Sequence, residues 1–370
     1  MRYPTQHLPV LLLLPLLIGL LWTGCTPDDD GGGPTNSCTS ALPQAELLAA
    51  VADGQIIPTY AELLTRTEAL HEAAAALAAA PTAVTLATAR TAFVDAYTNW
   101  QAADRFQFGP AEEELMRPSF NNFPVDAAAL EARIANGNLD FGRSDSYDRG
   151  LPAVDYLLYQ GADTAATLDY LTATPNALDF LVAVTADLER RATNVLDGWT
   201  AGYRNAFVAN TGTAAGSGLS LLINQLNQHY ENLKRDKLGL PAGVLTIGIA
   251  NPTKVEAYYS GISLSLAEAA LLASQRLYTG GEGSGLGDYL TRMPNEDAED
   301  VHADIEARYA EALRALTALD GELSALVQDD QAAVTAAYAE VTRQVVHLKT
   351  DLPALTCVSI TYIDNPSDSD

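Results

Sequence analysis

The stretch Tyr147-Asp148-Arg149-Gly150-Leu151-Pro152-Ala153-Val154-Asp155-Tyr156-Leu157-Leu158-Tyr159 follows a loop rich in Gly, Asp and Ser and opens an apolar segment. Pro152 fits only in the first turn of a helix, where its missing N–H is not required. A helix that starts near Gly150 places most apolar residues of the stretch on one side. Asp155 then lies in the first two turns, where the positive end of the helix dipole favours a carboxylate. Such an acid is either a local cap or a residue of a functional site.

The rest of the chain has the pattern of successive amphipathic helices. Apolar residues recur at three- and four-residue steps over 56–77 and 86–100, and we expect further helices over about 298–327 and 330–350. The Gly- and Ser-rich residues 210–218 form the best boundary within the body. We therefore predict an all-α protein with an N-terminal helical domain (44–210), a C-terminal helical domain (219–353) and an extended tail (354–370).

The N-terminus has the pattern of a lipoprotein signal peptide. Arg2 precedes an apolar run from Leu8 to Trp22, and Gly24 stands directly before Cys25. The run is short and ends at a processing site, so it predicts a cleaved signal over residues 1–24 rather than a membrane span. Cys25 then becomes the acylated first residue of an acidic, flexible tether over 25–43. These features predict lipid anchoring in the cell outer membrane.

The charge of the chain excludes one large class of partners. Its formal net charge is −26, with 21 Lys and Arg against 47 Asp and Glu. A surface so acidic repels phosphate backbones, so we expect no nucleic-acid partner. It also cannot attract anionic lipid headgroups, so contact with the membrane must come from the lipid anchor.

Two cysteines remain once Cys25 is assigned to the lipid. Cys38 and Cys357 form an even pair in an oxidising compartment, just outside the two ends of the folded body. We predict a disulfide between them. Loop-closure models give roughly 5 kcal/mol of stabilisation for so long a loop.

Histidines offer little for a metal site. The mature chain has His71, His229, His302 and His347, and none belongs to an H-E-x-x-H pattern. His302 and Glu306 lie one helical turn apart and could face a common metal, but their acidic surroundings fit a solvated helix face better. We predict no cofactor, no metal-ligating residue and no catalytic residue. Iron or another cation held by carboxylates stays open.

The stretch around Gly150 resembles the signature helix of the imelysin family, also called the M75 peptidase-like family, whose motif is Gly-x-His-x-x-Glu. Gly150 occupies the Gly position, Pro152 stands at the His position and Asp155 at the Glu position. Proline has no metal-binding side chain, so the metal site proposed for the family loses its imidazole here. Further stretches agree with the resemblance, namely 56–60, 106–110 with the preceding Trp100, 254–261 and 358–365.

The resemblance implies a fold and a set of ligand-binding residues. The fold is two helical bundle domains packed around a cleft. The cleft residues that it implies in this chain are Arg105, Gly109, Asp155, Lys237, Glu256 and Tyr259. With so few cations elsewhere, Arg105 and Lys237 in one cleft would suit an anionic ligand. A structural salt bridge or helix cap is the alternative for each of these residues.

Three functional hypotheses follow. The first is a non-catalytic, lipid-anchored binding protein of the cell envelope, for which the resemblance implies a role in iron or haem acquisition, with envelope iron- or haem-uptake proteins as partners. The second is a metallopeptidase of the M75 type, and the third is an envelope scaffold without a small-molecule ligand. The acidic run 28–30 after Cys25 resembles the surface-export signal of Bacteroidetes lipoproteins, and a solvated spacer is the alternative.

Overall fold

The computed structural model of the 370-residue chain describes residues 38–142 and 147–361. Helices and no strands are found in these two ranges, and the prediction of an all-α fold is confirmed. The predicted signal peptide, Cys25, most of the tether and the end of the tail lie outside the described residues. The helices are α1 (Gln44–Val51), α2 (Ile57–Ala79), α3 (Ala83–Ala103), α4 (Pro110–Glu113), α5 (Met116–Phe120), α6 (Ala127–Ala135), α7 (Gly150–Tyr159), α8 (Thr164–Ala173), α9 (Ala177–Gly198), α10 (Arg204–Ala209), α11 (Gly218–Asn232), α12 (Ser263–Thr279), α13 (Leu286–Leu290), α14 (Ala298–Thr317), α15 (Leu323–Asp329), α16 (Gln331–Val346) and α17 (Leu352–Thr356).

Wide π-helical turns join several of these helices. Ala52–Ile56 connects α1 to α2, and Trp199–Tyr203 connects α9 to α10. Leu233–Gly239 extends α11, and His347–Asp351 connects α16 to α17. Such turns are uncommon and occur often at functional sites. A short 3₁₀ turn, Pro252–Lys254, lies in the segment between α11 and α12.

Side-chain caps fix where several helices begin. Asp126 accepts a hydrogen bond from the Ala129 amide at the start of α6, and Ser217 caps α11 in the same way. Thr82 and Thr85 form a reciprocal capping box at the start of α3. Caps of this kind each contribute about 1 kcal/mol, so local sequence specifies where these three helices start.

The helices form two bundles that share one compact unit. In the first bundle α2 packs against α3 and α9, and α7 contacts α3 and α9. In the second bundle α14 packs against α16 and α12, and α11 contacts α12. Contact between α3 and α12 joins the bundles. The predicted boundary at 210–218 falls in the loop between α10 and α11, and its status as a domain boundary stays a prediction.

The structure corrects two predicted boundaries. The helix expected over 298–327 is two helices, α14 and α15, separated near Gly321, whose φ of 117° is not helical. The tail expected from residue 354 starts later, because α17 continues to Thr356. Residues 358–361 then lie against α11, where the Asn224 side chain donates to the Ser359 carbonyl (3.1 Å) and accepts from the Thr361 amide (2.6 Å).

Cys38 and Cys357, which the sequence analysis paired, form a disulfide with their Cα atoms 5.6 Å apart. The bond connects the start of the described chain to the residue that follows α17. Nearby, the Ser40 hydroxyl donates to the Tyr289 carbonyl at 2.8 Å, which docks the N-terminal segment on α13. Within residues 38–142 and 147–361, no helix has the length and apolar character needed to cross a membrane.

Candidate functional site

The site begins with the tight start of α7. Gly150 has a φ of +69°, and a Cβ there would stand 2.5 Å from the carbonyl oxygens of Ser119 and Phe120. Only glycine combines that backbone conformation with so close an approach. Pro152 follows in the first turn, where no N–H is needed. The start of α7 is therefore pressed against the end of α5.

Asp155 joins the two bundles. Its side chain is buried and accepts hydrogen bonds from two successive backbone amides, Tyr259 N–H to Oδ2 at 2.9 Å and Ser260 N–H to Oδ1 at 3.0 Å. Those amides belong to the segment that precedes α12, whereas Asp155 belongs to α7 of the first bundle. A carboxylate that accepts two amide bonds acts as a clamp between distant parts of the chain.

The ionisation of Asp155 is perturbed by its surroundings. Burial raises the pKa of Asp155 to about 6, and the nearby Glu256 carboxylate adds to the increase. The hydrogen bonds from Ser260 and Tyr259 favour the charged form and limit the shift. Asp155 therefore titrates closer to neutral pH than an exposed aspartate does.

Glu256 is a second buried carboxylate in the same region. Its Oε2 accepts a hydrogen bond from Lys237 Nζ, and its Oε1 accepts from Gln101 Nε2 (3.1 Å) and Asn121 Nδ2 (2.6 Å). The Tyr97 hydroxyl donates to Asn121 Oδ1 at 2.6 Å and completes the network. Glu256 and Lys237 come from the chain between α11 and α12, whereas their partners come from the first bundle. The network thus repeats the connection that Asp155 makes.

Two pockets open beside these carboxylates. The larger, which we call the interbundle pocket, has a volume of about 810 Å³ and is lined by Asp104, Arg117, Asn121, Asp236, Lys237 and Lys254. The smaller, the motif pocket, has a volume of about 190 Å³ and is lined by Pro152, Asp155 and Tyr259. Phe123, Pro124, Val125 and Lys254 line both, so the two pockets adjoin.

Most charges of the interbundle pocket are already neutralised. Asp104 pairs with Arg117 Nε at 2.7 Å, and its other oxygen lies 3.1 Å from Nδ1 of His229. Burial acts to raise the pKa of Asp104, but Arg117 and His229 outweigh it and hold that pKa well below its usual range. Nε2 of His229 lies 2.9 Å from the Ala270 carbonyl, so both ring nitrogens face protein acceptors. His229 is therefore a structural residue here.

The residues at the start of α7 do not fit a metal ion. Pro152 offers no ligand atom, and both oxygens of Asp155 are engaged by backbone amides. Within the described ranges no group of three or more His, Cys, Asp and Glu side chains is arranged to hold an ion. Nδ1 of His302 forms a hydrogen bond with the Tyr278 hydroxyl (2.9 Å), and its Nε2 lies 3.6 Å from Glu306; in the described part of the chain this pair has no third metal-ligating side chain beside it.

The structure brings together only part of the residue set that the resemblance implies. Asp155, Lys237, Glu256 and Tyr259 line the two adjoining pockets or their supporting network. The other two members, Arg105 and Gly109, line neither of these pockets.

Gly109 and Arg105 have separate surroundings. A Cβ on Gly109 would stand 2.2 Å from the Tyr203 ring. The lack of a side chain at Gly109 therefore lets Tyr203, in the turn that follows α9, pack closely against the backbone. Arg105 lies in a different pocket between α2, α3 and α12. The structure does not bring Arg105 and Lys237 into one site, because they line different pockets, and Lys237 is neutralised by Glu256.

Sequence reasoning missed several residues of the site, including Tyr97, Gln101, Asn121 and Ser260. Asn121 lies in the Pro- and Asn-rich loop after α5, which has no helical periodicity to mark a buried position. Gln101 lies on the buried face of α3, and only its polarity on that face could have indicated a buried partner.

The family model of imelysin (Peptidase_M75) matches residues 56–348. Iron-regulated protein A of Synechococcus elongatus is 24% identical over 333 residues, which are 85% of this chain and 86% of that protein. The crystal structure of an imelysin-like protein from Psychrobacter arcticum has a TM-score of 0.70 at 18% identity and covers 88% of this chain and 99% of that chain. A Parabacteroides distasonis structure gives a TM-score of 0.69 at 19% identity, over 88% of this chain and 98% of that one.

Proposed function

This chain belongs to the imelysin family, and we propose that it is a non-catalytic binding protein of the cell envelope that works in iron handling. The observation that carries the non-catalytic part is the Asp155 clamp. At the place where the family motif has its acidic residue, this chain uses both carboxylate oxygens to hold backbone amides. At the imidazole position it has Pro152, which can neither ligate an ion nor transfer a proton.

The iron part of the proposal rests on relatives. The curated relative from Synechococcus elongatus is named iron-regulated, and it matches over most of both chains. We take this as support for a role that cells need when iron supply changes. Envelope proteins for iron or haem uptake are the partners that fit such a role.

The envelope part rests on the N-terminal sequence. The basic start, short apolar run and Gly24-Cys25 junction support cleavage before Cys25 and a lipid anchor in the outer membrane. A disulfide between Cys38 and Cys357 suits an oxidising compartment of this kind. Palmitate labelling of the wild-type protein and of a Cys25→Ser variant tests the anchor, since only the wild type should take up label.

The interbundle pocket is the place where we propose that a ligand binds. Its volume of about 810 Å³ suits a small molecule, and Asn121 and Lys237, both bound to the buried Glu256, contribute to its wall. Lys254 at its rim is exposed and makes no ion pair with a described residue, so it is available to a ligand.

The test is to purify the protein from iron-rich and iron-poor cells and to analyse it by native mass spectrometry and elemental analysis. A bound small molecule or iron complex that differs between the two preparations would support the proposal. A Lys254→Gln variant should carry less of it, whereas Lys349→Gln, which does not line the pocket and pairs with Glu231, should carry the wild-type amount. Identical, ligand-free spectra from both cultures would contradict the proposal.

A metallopeptidase is the second possible function, favoured by the family name Peptidase_M75. A metallopeptidase of this type would bind a metal ion near Asp155 and would cleave peptides once loaded with that metal. We expect no cleavage of a diverse peptide library by the protein loaded with Zn²⁺ or Fe²⁺. Cleavage that Asp155→Asn abolishes, in a variant whose circular dichroism stays native, would establish the peptidase instead.

A further inference from the structure

A third pocket lies between α2, α3 and α12, and we call it the arginine pocket. It has a volume of about 660 Å³ and is formed by the start of α2, the end of α3 and the middle of α12. It shares no lining residue with the interbundle pocket or the motif pocket. The residues that matter here are Gln55, Asn99, Arg105 and Arg276.

Arg105 is a buried cation without a carboxylate partner in the described chain. Its side chain is 1% exposed, and its guanidinium donates to the Ala273 carbonyl and lies over the Phe106 ring. Its Nε has no hydrogen-bond acceptor among the described residues. Burial, together with the neighbouring positive charge of Arg276, lowers the pKa of Arg105. A guanidinium in this position is stabilised by an anion.

Arg276 adds a second positive charge at the same end of the pocket. It is exposed, close enough to perturb Arg105, and forms no ion pair with a described acidic residue. The third arginine that lines the pocket, Arg66, is neutralised, because it pairs with Glu62 (2.6 Å) and with Asp95 (3.4 Å). The chain has a net charge of −26, so two neighbouring arginines without acidic partners among the described residues make this pocket unusually positive for the protein.

Two amide side chains supply unmet hydrogen-bonding groups to the same pocket. Gln55 is 2% exposed, and neither its Oε1 nor its Nε2 has a partner in the described part of the chain. The buried Oδ1 of Asn99 is likewise unpartnered there. Gln55 belongs to the π-helical turn Ala52–Ile56, a type of turn that recurs at functional sites. The two acceptor oxygens need a ligand that carries O–H or N–H groups.

We propose that the arginine pocket binds a small hydroxycarboxylate. Arg105 and Arg276 would take the carboxylate, since guanidinium groups match the two oxygens of a carboxylate. Gln55 and Asn99 would accept from the hydroxyl of the ligand. This inference concerns a different pocket from the proposed iron-related site, so either can fail without the other.

Isothermal titration calorimetry on the full mature chain, in metal-free buffer, tests the proposal with citrate and tricarballylate. These two probes carry the same three carboxylates, but only citrate has a hydroxyl. Citrate should bind, and tricarballylate should bind about fivefold or more weakly, because it leaves the amide oxygens unpaired. Gln55→Leu should reduce this preference, since it removes one acceptor without removing a charge.

Two charge variants distinguish citrate binding in the arginine pocket from binding in the interbundle pocket. Arg276→Gln, at an exposed position that should not disturb folding, should weaken citrate binding about tenfold or more. Lys254→Gln, the matched loss of one cation in the interbundle pocket, should leave citrate binding unchanged. Absence of citrate binding to the wild type would overturn the proposal. So would equal binding by wild type and Arg276→Gln, or a loss in Lys254→Gln as large as that in Arg276→Gln.

Discussion

At the residue scale, Gly150 is a position where one added methyl group should strongly destabilise the fold. Gly150→Ala forces a side chain into a left-handed backbone conformation and against two carbonyl oxygens of α5. We expect a loss of about 2–4 kcal/mol in the free energy of unfolding, measured by urea titration. Gly54→Ala is the matched control, because a Cβ there meets no atom within 4 Å and replacing a helical glycine is favourable. Equal stability of the two variants would contradict this reading of the helix start.

Asp155 gives a prediction about pH. Its pKa of about 6 in the folded protein exceeds the value of about 3.9 in an unfolded chain. Between these values the folded state holds more protons, so the stability contributed by this group is present below pH 4 and is lost as pH rises through 6. Relative to Asp155→Asn, the wild type should lose about 2–3 kcal/mol of unfolding free energy between pH 4 and 7. Parallel stability curves for the two proteins would show that Asp155 is not a buried titrating acid.

The sequence indicated that Asp155 is special but not what it contacts. Its place near the start of α7 follows from Gly150 and Pro152, which constrain the helix start by their backbone properties alone. Its partners, the amides of Tyr259 and Ser260, lie more than 100 positions later in the chain. Backbone amides have no side-chain signature, so no pattern in the sequence could have predicted that contact.

At the scale of elements, the segment before α12 is held to the first bundle by Glu256, which accepts hydrogen bonds from Gln101 and Asn121 and whose buried charge is balanced by Lys237. Removing one partner leaves the other as a buried, unpaired charge, so Glu256→Gln and Lys237→Met should each cost about 3–5 kcal/mol. The double variant should cost much less than the sum of the two, because no isolated charge remains. Chemical denaturation of the four proteins measures this coupling. Additive losses would mean that the two side chains do not depend on each other.

Helices were predictable from the sequence because the apolar periodicity in residues 56–77 and 86–100 reports directly on burial. The break between α14 and α15 was not predictable, because the apolar spacing of the sequence continues on both sides of Gly321. The scarcity of cations drew attention to Arg105 and Lys237 but could not show whether they share a site. Arg105, just after α3, and Lys237, in the turn that extends α11, line different pockets.

At the scale of the whole molecule, the disulfide connects the first and last described segments. Replacing both Cys38 and Cys357 with Ser should lower the free energy of unfolding by about 2–5 kcal/mol, mainly because the unfolded chain gains freedom. Wild-type protein treated with a reductant is the control and should unfold at the same denaturant concentration as the variant. A variant as stable as the oxidised wild type would show that docking of Ser40 on α13 already holds the terminus.

The two bundles are joined by Asp155 and by the Glu256 network, and we propose that the Asp155 carboxylate holds backbone amides and does not bind a metal ion. Hydrogen exchange at the Tyr259 and Ser260 amides, followed by NMR or mass spectrometry with and without Zn²⁺ or Fe²⁺, distinguishes these two roles of the carboxylate. We predict slow exchange in the wild type that is unaffected by metal, and faster exchange in Asp155→Asn. Metal-induced acceleration at these two amides in the wild type, absent from Asp155→Asn, would show that Asp155 releases them to bind the ion and would contradict the account.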